Sequence, residues 1–185
     1  MSGSLPSVQA KIGDLITREG GYANNPADSG GETCWGITAD VARAYGYQGP
    51  MMMLPMATAA DIYLQRYWIG PRFDQLDAIS DPLASKLFDI GVNQGQAAGV
   101  RYLQRALNVL SDQGTRYPVL SVDGGLGTLS FNSLRLFIAQ RGADGEAVLV
   151  AMVRAQQCVE YMQIGEASPS QQQFEWGWED ARMML

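Results

Sequence analysis

The chain has 185 residues, of which 46% are hydrophobic and 17% are charged, and its net charge is -6. These are the values of a globular protein and exclude a disordered chain. Because nucleic acids attract basic surfaces, the acidic balance argues against a nucleic-acid partner. The absence of histidine excludes Ser-His-Asp and Cys-His catalysis and zinc sites built on imidazole. Hydrolytic chemistry, if present, must use carboxylates, and we expect no cofactor and no metal.

The N-terminal sequence MSGSLPSVQA has neither the basic nor the apolar region of a signal peptide. No apolar run approaches the ~20 residues that a membrane span needs. We therefore expect synthesis in a cytoplasm and no stable membrane insertion. Cys34 and Cys158 are the two cysteines, and free thiols are the usual state in a cytosolic product.

Helical spacing of apolar residues, together with Gly and Pro at the breaks, predicts a series of helices. In chain order the predicted helices cover about residues 6–19, 38–45, 58–69, 81–92, 97–110, 129–140 and 147–164. The third begins at Thr58-Ala-Ala-Asp61, which has the form of a capping box. Residues 22–38 carry turn chemistry and a short hairpin around Thr33–Thr38.

The sequence holds no alternating strand pattern of any length. The predicted fold class is therefore mainly α, with at most a small β-hairpin near the candidate site. A boundary near Gly95 would separate a motif-rich region, residues 1–95, from a helical region, residues 96–185, that packs against it. We expect a monomer.

Two carboxylates near the N-terminus are the candidate catalytic groups. Glu19 stands at the end of the first predicted helix, where the negative end of the helix dipole disfavours ionisation. Asp28 follows nine positions later in a polar turn whose backbone donors favour the charged form. Two carboxyl groups with opposite preferences form the acid-and-base pair of many sugar-cleaving sites. Taken singly, Glu19 is better read as a solvated helix end and Asp28 as a turn residue that bonds its own backbone; the two together support the catalytic hypothesis.

Other residues flank this pair. Thr33 could hold a water molecule, Tyr22 and Trp35 could stack on sugar rings, and Asn25 could hold an N-acetyl group. A core position beneath the hairpin is an equal alternative for Trp35. Asn93 could point into a cleft, with helix capping as the equal alternative.

The run EGGYANNPADSGGETCWGIT, residues 19–38, resembles the signature of glycoside hydrolase family 108, the N-acetylmuramidases of phage endolysins and related bacterial proteins. The matching positions are Glu19, Gly20, Gly21, Tyr22, Pro26, Asp28, Gly30, Gly31, Thr33, Gly36, Ile37 and Thr38. Downstream, Tyr67-Trp68 and Phe88–Gly95 are similar to further family segments. The segments Leu103–Leu107, Val122–Leu129 and Phe174–Arg182 are similar to its predicted peptidoglycan-binding half, so the resemblance covers nearly the whole chain.

The resemblance implies a lysozyme-like helical fold and cleavage of the β-1,4 bond between N-acetylmuramic acid and N-acetylglucosamine in bacterial peptidoglycan. Glu19 would be the catalytic acid, with Asp28 polarising water or stabilising the developing positive charge. Phage lysozymes of another family place a threonine six residues after that aspartate; here the sixth position is Cys34, and Thr33 stands beside it. A phage product of this kind would wait in the host cytoplasm and reach the wall through a separate pore.

Two alternatives use the same residues differently. A lytic transglycosylase breaks the same bond with one glutamate and no need for Asp28. A wall-binding module without activity would need neither carboxylate. For a hydrolase with two carboxylates, the sequence favours an inverting outcome.

Overall fold

The structure, a computed structural model, describes residues 5–24 and 31–167. The chain divides into two compact units, Met1–Gly70 and Pro71–Leu185. Helices dominate both units in the described part of the chain, and one three-stranded sheet accompanies them in the first. This confirms the predicted mainly α class.

The first unit contains three α-helices, a small sheet and two short helical turns. Its elements in chain order are α1 (Leu5–Glu19), β1 (Tyr22–Asn24), β2 (Glu32–Cys34), β3 (Ile37–Thr38), α2 (Ala39–Tyr45), a 3-10 turn (Met51–Met53), α3 (Met56–Tyr63) and a π-helical turn (Leu64–Ile69). The strands pair antiparallel in the order β1-β2-β3. The predicted hairpin corresponds to β2 and β3, and β1 adds a third strand.

The core of the first unit forms where α1 packs on α3. The apolar face of α1 is buried at helical spacing, with Val8, Ile12, Leu15 and Ile16. The ring of Trp68 is buried in the same unit, and the Lys11 ammonium lies 5.2 Å from its centroid. Because Leu15 and Ile16 are buried, the C-terminal end of α1 is held in the core of the first unit.

Helix starts in this unit follow the local chemistry of the chain. The Thr38 hydroxyl accepts a hydrogen bond from the N–H of Val41 at 3.3 Å and caps α2. The predicted start of the third helix at Thr58 is wrong, because α3 begins at Met56. Pro55 precedes it in an extended conformation, and its carbonyl accepts the N–H of Ala59, so Pro55 is the N-cap and the first helical residue is Met56.

The second unit is built from helices alone in its described residues. They are α4 (Phe73–Asp77), α5 (Asp81–Gln94), α6 (Gln96–Leu110) and α7 (Thr128–Ala167). Helix α4 has five residues, too few for apolar periodicity to predict it. Helix α7 is interrupted at Gly142, with φ 60° and ψ -152°. That position agrees with the predicted break between the last two helices.

Helices α5, α6 and α7 pack on one another. Helices α5 and α6 approach closely at Gly99, where a Cβ would lie 3.3 Å from side-chain atoms of Ile90 and Leu87. The predicted boundary near Gly95 falls between these two helices, inside the second unit. Among the described residues, no helix has the length and apolarity that crossing a membrane requires.

Candidate active site

Glu19 is the last residue of α1, and its side chain lies outside what the structure describes. Gly20 follows in the left-handed conformation, φ 79°, and its N–H donates to the carbonyl of Ile16 at 3.3 Å. Glycine commonly ends a helix in this way because it has no Cβ to clash. The catalytic candidate therefore stands at the negative end of the helix dipole, as predicted, three residues before β1.

The register of the sheet sorts its side chains onto two faces, because cross-strand partners share a face and neighbours in a strand alternate. One face carries Tyr22, Asn24, Glu32, Cys34 and Ile37, and the other carries Ala23, Thr33 and Thr38. The predicted site residues Tyr22 and Thr33 thus lie on opposite faces. A saccharide lying along one face would contact only one of them directly.

Tyr22 is hydrogen-bonded to Glu32, which was not among the site residues predicted from the sequence. Its hydroxyl donates a hydrogen bond of 2.8 Å to the Glu32 carboxylate, and this bond is the main reason that the pKa of Tyr22 is raised. Tyr22 lies directly opposite Cys34, so Glu32 is its diagonal neighbour. Only the strand register reveals that relation; in the sequence Glu32 is simply one acidic residue in a turn-rich segment.

The backbone of Trp35 is held in the left-handed conformation. Trp35 and Gly36 form the two-residue β2–β3 turn, both at positive φ, 55° and 73°, as type I′ turns require. The Trp35 N–H donates to the Gly21 carbonyl at 3.4 Å. Its indole Nε1 donates to the Leu54 carbonyl at 2.9 Å, and its own carbonyl accepts the Tyr63 hydroxyl at 3.1 Å. A half-buried tryptophan in this conformation is costly, and these bonds hold it there.

Thr33 and Cys34 are the two positions that could correspond to the threonine of phage lysozymes, and their environments differ. Cys34 is buried, with 2% of its surface exposed, and that burial raises the pKa of its thiol. Thr33 is half-buried on the other face of the sheet. A neutral, buried thiol is chemically inert, so Thr33 is the better placed of the two to touch a ligand. Neither Cys34 nor Cys158 forms a disulfide.

Two predicted residues, Asp28 and Asn25, lie outside the described residues. Asn93 belongs to the second unit, where it lies in α5. Its Nδ2 donates to the carbonyl of Asp89 at 2.7 Å, a bond within its own helix. Asp89 is itself buried, and its carboxylate lies 3.6 Å from the Lys86 ammonium.

The glycine-rich segment after Asp123 has a structural role in the second unit. The buried Gln104 amide donates to the Asp123 carboxylate at 2.8 Å and to the Gly125 carbonyl at 3.0 Å. It also accepts the N–H of Gly124 at 3.0 Å. One side chain of α6 thus fixes the whole turn, and the hydrogen bonds from Gln104 and from the Gly125 N–H lower the pKa of Asp123.

Comparison with known proteins adds the family context. Residues 12–95 match the family model Glycosyl hydrolase 108, and residues 98–183 match the model Predicted Peptidoglycan domain. The solved structure of Brucella abortus SagA superposes with a TM-score of 0.69, covering 98% of this chain and 91% of that chain at 20% identity. That level of identity supports a shared fold. No curated protein matches the sequence significantly.

Proposed function

We infer the activity from the family: this chain belongs to the glycosyl hydrolase 108 family, and a predicted peptidoglycan domain follows its hydrolase region. It is a glycoside hydrolase, and peptidoglycan is its substrate. Within that class we propose an N-acetylmuramidase that hydrolyses the β-1,4 bond between N-acetylmuramic acid and N-acetylglucosamine. The observation that carries the proposal is the position of Glu19, inside the matched region at the C-terminal end of α1.

In the proposed mechanism Glu19 is the general acid. The negative end of a helix disfavours the charged form of a carboxyl group, and in this role Glu19 donates a proton to the glycosidic oxygen. As that bond breaks, positive charge develops on the sugar ring. The Asp28 carboxylate is proposed to stabilise this charge or to activate the attacking water, and Thr33 to orient that water.

The substrate-binding roles follow from the sheet and its turn. The Trp35 indole, fixed at the end of the β2–β3 hairpin, offers an aromatic surface for a sugar ring. Tyr22 lies on the face that also carries Glu32, whose carboxylate orients the phenol. Asn25 would hold an N-acetyl group. The site of action is the cell wall, and release through a separate pore stays a prediction.

Substitution of Glu19 tests the general acid directly. Glu19→Gln should lower the rate of clearing of purified peptidoglycan by about 10²- to 10⁴-fold, the range for loss of a general acid. Glu166→Gln, on an exposed residue near the end of α7, is the matched control and should keep full activity. An inactive wall-binding module predicts no clearing by the unaltered protein, and clearing that survives Glu19→Gln would refute the role of Glu19.

The product distinguishes hydrolysis from transglycosylation. Mass spectrometry of the digested wall should give muropeptides with a reducing sugar. Products lighter by one water would instead identify a lytic transglycosylase. Asp28→Asn should reduce hydrolysis strongly if two carboxylates act, whereas a single-carboxylate mechanism predicts nearly unchanged rates. Proton NMR of the fresh product gives the stereochemistry, and we expect inversion.

A further inference from the structure

The second unit contains a polar cleft between α6 and the C-terminal part of α7. It encloses about 470 Å³ and is lined by Gln94, Arg101, Tyr102, Arg105 and Glu160, among others. A second cavity of about 270 Å³ shares Tyr102, Arg105 and Glu160 and extends the cleft along α7 to Gln156. The larger cavity lies within the range of about 300–1,000 Å³ that is usual for small-ligand sites.

Two arginines dominate the charge of this cleft. Arg101 and Arg105 are four residues apart and therefore lie on the same side of α6, and both are exposed. Within residues 5–24 and 31–167, neither guanidinium forms an ion pair or a hydrogen bond. Glu160 also lines the cleft, so the described lining carries two positive side chains and one negative one, although the chain as a whole carries -6. Paired, free guanidinium groups bind carboxylates well.

Two buried side-chain atoms, one beside each cavity, have no hydrogen-bond partner in the described structure. The Tyr102 hydroxyl donates to Gln94 Oε1 at 3.2 Å, which leaves Gln94 Nε2 buried and unpaired. Gln156 Nε2 donates to the Tyr102 carbonyl at 2.9 Å, and Gln156 Oε1 is likewise buried and unpaired. A buried polar atom without a partner is destabilising.

We propose that the α6–α7 cleft binds the peptide stem of peptidoglycan, with its carboxylates on Arg101 and Arg105. Glu160 would pair with the free ammonium of the diamino acid in that stem. The inference rests on the proposed function, since it divides the substrate between the two units: the first takes the glycan and the second takes the peptide.

Isothermal titration with a soluble stem peptide tests the site. The probe is N-acetyl-L-Ala-γ-D-Glu-meso-diaminopimelate, and the protein is the full chain. The double variant Arg101→Gln/Arg105→Gln should bind it at least about tenfold more weakly, since two charge-assisted contacts are lost. Arg116→Gln removes the same charge from an exposed loop arginine paired with Asp112, and its affinity should equal that of the unaltered protein. No binding, or equal binding by the double variant, overturns the inference.

Binding measurements with two modified peptides define which ligand the cleft recognises. Acetylation of the diaminopimelate amine should weaken binding to the unaltered protein but not to Glu160→Gln; equal sensitivity of the two proteins removes Glu160 from the site. A peptide of ordinary α-linked L-residues with the same charges should bind poorly. Equal affinity for that peptide would make the cleft a general acidic-peptide site and overturn the assignment to the stem.

The activity assay separates this inference from the proposed function. Glycan strands stripped of their peptides should be cut equally well by the unaltered protein and by Arg101→Gln/Arg105→Gln. Intact peptidoglycan should be cut more slowly by the double variant at low substrate concentration. If the unaltered protein cuts neither substrate, the proposed function fails. If it cuts both and the double variant behaves identically on both, only the stem site fails.

Discussion

The backbone N–H of Trp35 donates a hydrogen bond of 3.4 Å to the carbonyl of Gly21, two residues after Glu19. This bond continues the β1–β2 pairing past the ends of the strands and brings the hairpin turn to the end of α1. Glu19 and Trp35 are sixteen positions apart in the sequence, and this backbone hydrogen bond brings Trp35 next to the end of the helix that carries Glu19.

Variants of Trp35 separate its packing role from a role in sugar binding. Trp35→Phe keeps an aromatic ring but leaves the Leu54 carbonyl without its donor, which should cost about 1 kcal/mol of unfolding free energy and leave KM nearly unchanged. Trp35→Asn suits the left-handed turn but removes the ring, so KM should rise strongly. Chemical denaturation and initial rates measure the two effects. An unchanged KM for Trp35→Asn would make the ring a core element only.

Thr33 and Cys34 can be distinguished as candidates for the water-orienting role. Thr33→Val should lower kcat by about tenfold or more, with a change in stability within about 0.5 kcal/mol because valine suits a strand. Cys34→Ser buries a hydroxyl in place of a thiol and should cost about 1–3 kcal/mol without changing kcat. If Cys34→Ser loses kcat at a temperature where it is fully folded, the assignment to Thr33 is wrong.

The Tyr22–Glu32 hydrogen bond predicts coupled effects on substrate binding. Tyr22→Phe and Glu32→Ala should each raise KM, because the first removes the phenol hydroxyl and the second leaves it unoriented. Their combination should raise KM no further than the larger single effect. Kinetics of the two single variants and the double variant measure the coupling. Strictly additive effects would mean that the two side chains act independently.

The Gln104–Asp123 contact predicts a pH dependence of stability at acid pH. The folded-state pKa of Asp123 is lowered, so its contribution is present above the unfolded pKa of about 3.9. That contribution is lost as the pH falls through the lowered folded value. Asp123→Asn should therefore show a shallower loss of stability than the unaltered protein between about pH 4 and pH 2. Urea unfolding at several pH values measures it, and identical slopes would exclude a contribution from Asp123.

Much of the helical architecture could be predicted from the sequence, because it depends on local signals. The apolar spacing of α1, the glycine at its end and the cap at Thr38 each act within a few residues. Errors arose where a local signal competed with another one: Pro55 set the start of α3 in place of the capping box at Thr58. Helix α4 is too short to carry a periodic signal and depends on packing against α5.

The sequence alone determined the chemistry available to this protein. The absence of histidine excludes Ser-His-Asp and Cys-His catalysis, and the segment from Glu19 to Thr38 lies inside the region that matches the glycosyl hydrolase 108 model. The tertiary structure decided which side chains meet. The strand register, which no local pattern specifies, joined Tyr22 to Glu32, set Thr33 on the opposite face and buried Cys34. Packing of α6 against α7 likewise created the cleft around Arg101 and Arg105, because residues more than fifty positions apart come together only when the helices dock.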